Sequence, residues 1–165
     1  GRALHRHALD VRVAYLSLGT NIGDRGAHLE GAIATLAEGE PYRLSHVYET
    51  EPVGGVPQDD FWNLVMEIAT EASGDELLER ARRAEEKAGR TRDVRWGPRT
   101  LDVDVLLVGD EVRDDPELTL PHPRLFERAF VLRPLKDLAP QLVTDEQLAS
   151  ATGHVVELGT LSSLR

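Results

Sequence analysis

The 165-residue sequence predicts an α+β sandwich in the order β-α-β-β-α-β, the ferredoxin-like order, with C-terminal additions. Four short runs carry strand-type alternation, two longer stripes between them carry helical spacing, and Gly- and Pro-rich segments separate these runs. The length suits one domain that buries its own core. A single domain over 1–165 is expected, with its core at about residues 11–143 and peripheral segments at 1–10 and 144–165.

The elements follow in order. Val11 to Ser17 alternates apolar residues ahead of the turn-forming run Gly19-Thr20-Asn21-Ile22-Gly23-Asp24, and reads as a strand ending in a loop. Leu29, Ile33 and Leu36 fall at i, i+4 and i+7, which predicts a helix closed by Gly39 and Pro41. Tyr42 to Tyr48 reads as a second strand. Phe61 to Thr70 reads as a third, with Trp62, Leu64, Met66 and Ile68 on its core face. Ser73 followed by Glu76 is a capping box for a second helix, whose stripe Leu77, Ala81, Ala84, Ala88 ends at Gly89. Leu101 to Val108, stopped by Gly109-Asp110, is the fourth strand. Leu118 to Pro123 reads as extended, and Arg124 to Leu138 as short helical turns broken at Pro134. Residues 144–165 carry no legible pattern.

Composition narrows the function classes. Hydrophobic residues make up 41% and charged ones 29%, which is ordinary globular usage. The absence of cysteine removes disulfides, thiolate nucleophiles and Cys-ligated metals, so any metal must take oxygen or imidazole ligands. The longest run without Asp, Glu, Lys or Arg is Val13 to Gly23, too short to span a bilayer. Gly1 to Asp10 has no apolar stretch of signal-peptide length, and a cytoplasmic protein is expected. A net charge of -10 opposes nonspecific binding to nucleic acid or anionic lipid. Against that background Arg80 to Arg99 holds eight basic residues and three acidic ones. The island fits a compact anion, or a solvated helix face in a chain whose usual cation is Arg.

Four constellations carry chemistry. Asp102 and Asp104 lie two apart on the fourth strand, so their carboxylates share one face. At a separation of ~6 Å and an effective dielectric near 20 they repel by roughly 3 kcal/mol, a cost that a bound cation reverses. Carboxylate oxygens without Cys or His favour Mg²⁺, although the pair alone also fits the wet face of an amphipathic strand. Immediately before it, Gly89 to Arg99 contains Arg90, Arg92, Arg95 and Arg99, whose guanidinium groups meet phosphate oxygens bidentately. Adjoining acidic and basic segments favour a metal–phosphate site over two unrelated surfaces. Phe61 and Asn63 share the face opposite Trp62 and Leu64, and offer a ring and an amide with both donor and acceptor to a flat heterocycle; the alternative is that Phe61 covers the other sheet face. Finally, His122 sits between Pro121 and Pro123, held on a stiff extended segment. Phosphate loops of the P-loop type, dinucleotide fingerprints and kinase signatures are absent from the sequence.

Over roughly Val13 to Val143 these residues resemble the 6-hydroxymethyl-7,8-dihydropterin pyrophosphokinase family. The most specific stretch is Gly89 to Asp104, with Arg95-Trp96-Gly97-Pro98-Arg99-Thr100 and Leu101-Asp102-Val103-Asp104. Leu18-Gly19-Thr20-Asn21, Tyr48-Glu49-Thr50-Glu51-Pro52, Phe61-Trp62-Asn63 and Leu120-Pro121-His122-Pro123-Arg124 support it in the right order.

The resemblance implies a ferredoxin-like fold and transfer of pyrophosphate from ATP to the pterin's hydroxymethyl oxygen, releasing AMP. It implies a catalytic set of Arg90, Arg92, Arg99, Asp102 and Asp104, with the two aspartates holding two Mg²⁺ ions. ATP would be held by Arg90, Trp96, Arg99, Thr119, Leu120, His122 and Arg128, and the pterin by Thr50, Pro52, Val53, Phe61, Asn63 and Phe130. Phe61 stands where relatives also use Tyr, which keeps a stacking face without a hydroxyl. Partners other than these two small molecules are not expected, and the protein is expected to be a monomer. The rival readings are a nucleotidyltransferase or cyclase, which would release pyrophosphate, and a ferredoxin-like binding module. Eight aromatic residues and the acidic balance argue against an RNA binder.

Overall fold

The computed structural model describes residues 10–52, 57–89 and 101–165. Its strands are β1 (Arg12–Thr20), β2 (Tyr42–Leu44), β3 (Val47–Thr50), β4 (Phe61–Thr70), β5 (Asp102–Val108), β6 (Arg113–Asp114), β7 (Thr119–Leu120) and β8 (Val155–Gly159). The helices are α1 (Arg25–Ala37), α2 (Gly74–Lys87), α3 (Ala129–Leu138) and α4 (Asp145–Ser150). The fold is mixed α+β around an antiparallel sheet of order β5-β1-β4-β3-β8, with β2 also paired to β4; β6 and β7 form a separate two-stranded ribbon.

Strand alternation assigns each face of the sheet to a different layer. Leu16, Leu18, Leu64, Met66, Ile68, Leu101, Val103 and Val105 pack with Leu29, Ile33 and Leu36 of α1 and Leu77, Ala81 and Ala84 of α2. On the reverse face, Tyr15, Val65 and Leu106 pack with Val131, Leu132, Leu135 and Leu138 of α3. The predicted core face of β4 is therefore core, and the opposite face is core as well along part of its length. The capping box at Ser73 is present, the Glu76 N–H reaching Ser73 Oγ at 3.2 Å and the Ser73 N–H reaching Glu76 Oε1 at 3.4 Å. Asp24 caps α1 by a single bond, its side chain accepting from the Ala27 N–H.

Four readings need correction. β1 runs on through Gly19 and Thr20, which stay in register with Asn63 and Trp62, so the turn begins later than its Gly-rich sequence implies. The single strand expected at Tyr42 to Tyr48 is two strands. Leu44 opposes Met66 while Tyr48 opposes Asn63, which leaves one extra residue on this side of the ladder. Ser45 fills the break: its hydroxyl donates to the His46 carbonyl and accepts the Val65 N–H, both at 2.8 Å.

The turns expected to break at Pro134 form one helix, α3, with Pro134 inside it. This proline lacks only the N–H that would reach back to the Phe130 carbonyl. The segment read as peripheral, 144–165, supplies the edge strand β8 and buries Leu161 in the main core at 5% exposure. Among the described residues no helix is long and apolar enough to cross a membrane.

Candidate active site

Cross-strand registration builds the site. Asp102 of β5 lies opposite Gly19 of β1, Gly19 opposite Asn63 of β4, and Asn63 opposite Tyr48 of β3. Neighbouring strands are ~4.8 Å apart, so Asp102 and Asn63 stand about 10 Å from one another with only a glycine between. One pair further along, Asp104 is opposite Ser17, which is opposite Val65. All of these project to the α3 side of the sheet. The two acids share a face as the sequence predicts, with Asp104 exposed and Asp102 half-buried at the rim.

His122 approaches from the loop after β7. Its backbone N–H bonds to the Leu106 carbonyl at 2.9 Å, which fastens the loop to β5. Its Nδ1 accepts the Arg124 N–H at 3.1 Å, so the neutral ring carries its proton on Nε2, 4.0 Å from Asp104 Oδ1. Burial pushes the imidazole below its ordinary pKa. Asp104 opposes this, and Arg128 and Arg124 add to it. Next to His122 a cavity of about 180 Å³ opens at the outer edge of β5, lined by Leu78, Val103, Asp104, Val105, Leu118 and Thr119 among others. Thr119 is half-buried there. Leu120 is only 1% exposed, its side chain is spent on the core, and it is not part of the cavity lining. A larger concavity, about 490 Å³, lies elsewhere between α1, β2 and residues 160–162, and includes none of the predicted site residues.

Asn63 is 4% exposed, and its Nδ2 donates to the Tyr48 carbonyl and to Thr50 Oγ1, both at 3.1 Å. The sequence reading had this amide offering donor and acceptor. In the fold β3 uses both N–H groups, and what is left for a ligand is the Oδ1 acceptor. Phe61 opposes Thr50 and is half-buried on the same face. Behind it, the Arg25 guanidinium lies 4.6 Å from the Trp62 ring centroid and donates to the Asp60 carbonyl at 2.8 Å, while Trp62 Nε1 donates to Glu49. This brace fixes the start of β4 from the other face.

Arg128 immediately precedes α3, and its guanidinium lies 5.5 Å from the ring centroid of Phe130. A residue expected at ATP and one expected at the pterin are thus in contact. Pro52 lies in the stretch after β3. Val53, Arg90, Arg92, Trp96 and Arg99 lie outside the described residues. Sequence reasoning gave no site role to Gly19, because it was read as the start of a turn; once β1 is seen to run through it, a glycine inside a strand marks close approach of another group.

Paired carboxylates suited to a divalent cation, beside a surface suited to a flat ring, define a candidate phosphoryl-transfer centre. Residues 15–140 match the family model described as 7,8-dihydro-6-hydroxymethylpterin-pyrophosphokinase (HPPK). The chain is 45% identical over 133 residues to the 2-amino-4-hydroxy-6-hydroxymethyldihydropteridine pyrophosphokinase of Bacillus subtilis (strain 168), covering 79% of this chain and 80% of the relative. It is 46% identical over 133 residues to the protein of that name from Methylorubrum extorquens, covering 79% of this chain and 84% of the relative.

A further relative, "Bifunctional protein FolKE" of Lactococcus lactis subsp. cremoris, is 40% identical over 78% of this chain, which spans 38% of that protein. Among solved structures, a Plasmodium falciparum HPPK-DHPS triple mutant superposes with a TM-score of 0.58 at 16% identity, over 93% of this chain and 44% of that one, a likeness of fold. The chain belongs to the 7,8-dihydro-6-hydroxymethylpterin-pyrophosphokinase family. It is accordingly an enzyme of the diphosphotransferase class.

Proposed function

We propose that this enzyme transfers the pyrophosphoryl group of ATP to the hydroxymethyl oxygen of 6-hydroxymethyl-7,8-dihydropterin in folate synthesis. The hydroxyl oxygen forms a bond to the β-phosphorus and loses its proton. The bond from that phosphorus to the oxygen bridging the α-phosphate breaks, and AMP leaves with the bridging oxygen. The observation that carries this reading is the row Asp102–Gly19–Asn63, which sets an acid pair and a ring-reading amide on one sheet face.

Asp102 and Asp104 are oxygen donors on one side of an edge strand, a donor set that fits Mg²⁺, and two ions are assigned to them. When bound, the metal withdraws charge from the triphosphate and makes the attacking hydroxyl more acidic. The chain's own groups do the rest. His122 presents a neutral Nε2–H beside Asp104, and Arg128 presents a permanent cation. The cavity beside Thr119 suits the adenine, with Leu120 assigned there by family resemblance. Phe61 and Phe130 stack on the pterin, Asn63 Oδ1 accepts from its edge, and Thr50 with Pro52 and Val53 borders it. Arg90, Arg92, Trp96 and Arg99 complete the phosphate contacts by family resemblance.

The strand order β5-β1-β4-β2/β3, all antiparallel, with α1 and α2 on one face, supports the ferredoxin-like assignment. A cytoplasmic monomer is the assembly proposed. Incubating the protein with MgATP and 6-hydroxymethyl-7,8-dihydropterin and resolving the nucleotides tests the reading. AMP with a pyrophosphorylated pterin is expected; free pyrophosphate would indicate nucleotidyl transfer, and ADP an ordinary kinase, either of which overturns it.

A further inference from the structure

Tyr48 connects two walls of the proposed pterin pocket. Its carbonyl accepts from Asn63 Nδ2 at 3.1 Å. Its side chain, 2% exposed, sends the hydroxyl to the carboxylate of Asp137, 3.0 and 2.9 Å from the two oxygens. Asp137 is on α3, seven residues after Phe130. Seven residues are two turns, so both side chains share one stripe about 10 Å apart along the axis. Between them Arg133 sits with its guanidinium 5.6 Å from the Tyr48 ring centroid. The same carboxylate also accepts the His46 N–H at 3.1 Å, which ties it to the bulge between β2 and β3.

Most of the remaining contact between α3 and the sheet is apolar, Val131, Leu132 and Leu135 against Val65 and Leu106; one more directional bond, from Arg43 of β2 to the Leu138 carbonyl at 3.1 Å, holds only the last residue of the helix, farther from Phe130 than Asp137 is. Apolar packing is non-directional, and it leaves a helix free to slip by a fraction of an ångström. A flat ring held between two others has no such tolerance, since a gap of 0.5–1 Å already forfeits roughly a quarter to a half of a dispersion contact. A short, directional bond from the buried Tyr48 hydroxyl to the Asp137 carboxylate at the surface is what fixes the register along this stretch.

We propose that Tyr48 is a positioning residue of the pterin site, holding α3 through Asp137 so that Phe130 stands at stacking distance over the surface formed by Phe61 and Asn63. This rests on the pterin reading of those three residues and adds the group that spaces them. The substitution Tyr48→Phe removes one hydroxyl and keeps the buried ring. It should raise the pterin dissociation constant, measured by calorimetry in the absence of turnover, about tenfold, and raise the pterin KM with it, while the KM for ATP stays within about twofold.

Asp137→Ala should reproduce that loss, and Asp137→Asn, which keeps an oxygen to accept the tyrosine proton, should restore binding. A tyrosine with a purely structural role would lower the melting temperature and leave pterin affinity unchanged; that result, or equal losses for pterin and ATP, overturns the proposal. If Tyr48→Phe does not fold, the Asp137→Ala and Asp137→Asn pair decides by the same criterion. Wild-type protein that fails to bind the pterin overturns the pocket reading itself, whereas normal wild-type binding with an unaffected Tyr48→Phe variant overturns only the role of Tyr48.

Discussion

A Cβ added to Gly19 would stand 2.9 Å from Oδ1 of Asn63. The amide of Asn63 therefore reaches across the backbone of β1 toward β5, over the one residue in the row without a side chain. That amide is held in this position by its nitrogen, which donates both to Tyr48 and to Thr50, so moving it strains two hydrogen bonds. Gly19 keeps open the floor between the acceptor proposed for the pterin and the acids proposed for the metal.

Gly19→Ala should displace Asn63 without disturbing the ladder, since Gly19 is an ordinary strand position with no positive φ. The expected result is a pterin KM raised roughly tenfold, equivalent to losing one ligand hydrogen bond of about 1.4 kcal/mol. The melting temperature should change little. Steady-state kinetics with each substrate varied in turn makes the check; an unchanged pterin KM would show that Asn63 Oδ1 is not a ligand contact.

Asp104→Asn removes half of the proposed cation site at a side chain that is 49% exposed. Its loss relieves like-charge repulsion with Asp102 and costs no buried contact, so the fold should be kept or slightly stabilised. Turnover should fall on the order of 10²-fold or more, as when a charge-stabilising group is deleted. Measuring kcat at saturating Mg²⁺ alongside thermal unfolding separates the two effects, and a variant with near-normal kcat would remove Asp104 from the catalytic set.

The shared faces of the candidate residues were more legible in the sequence than the frame around them. Pairs at i and i+2 on strands put Asp102 with Asp104, and Phe61 with Asn63, on shared faces by geometry alone. The capping box at Ser73 was equally local and was found where expected. The bulge at Ser45 was not legible, because an interrupted strand keeps the composition of a continuous one. β8 was missed for a related reason: an edge strand with exposed Val156 and Glu157 has no strong alternation, and its pairing to β3 is fixed more than a hundred residues away. Pro134 misled by its usual rule, whose cost here is the one hydrogen bond that its missing N–H would make to the Phe130 carbonyl, one residue into α3. Asn63 looked bifunctional because nothing local reveals that β3 takes its two N–H groups.

Ser45→Ala tests the bulge. The hydroxyl of Ser45 is the acceptor for a buried N–H, that of Val65, at 2.8 Å, and Ser45 itself is 3% exposed. Removing the oxygen orphans this donor, which costs about 1–3 kcal/mol. Urea unfolding should show a lower midpoint with an unchanged slope. A variant as stable as wild type would mean that Val65 finds another acceptor.

The edge strand β8 is fastened by an ionisable pair, and its strength should depend on pH with a definite sign. His46 Nδ1 lies 2.6 Å from Glu157 Oε1, both side chains about half exposed. The hydrogen bond to Glu157 raises the His46 pKa above its ordinary 6.5, with burial opposing and Asp137 adding. The same bond leads in lowering that of Glu157 below 4.5, and Tyr48 and Arg133 face the pair as well. A raised base binds its proton more tightly when folded, so its contribution is complete below about pH 6.5 and is lost as pH climbs through the folded value. A lowered acid contributes above about pH 4.5 and loses its contribution as pH falls through the folded value. The clamp is therefore fully formed only between those limits. Wild type should lose melting temperature relative to His46→Asn as pH rises from about 6 to about 9, and the difference should shrink in high salt, because exposed pairs are screened. Parallel melting curves for the two proteins across that range would show that the pair does not hold β8.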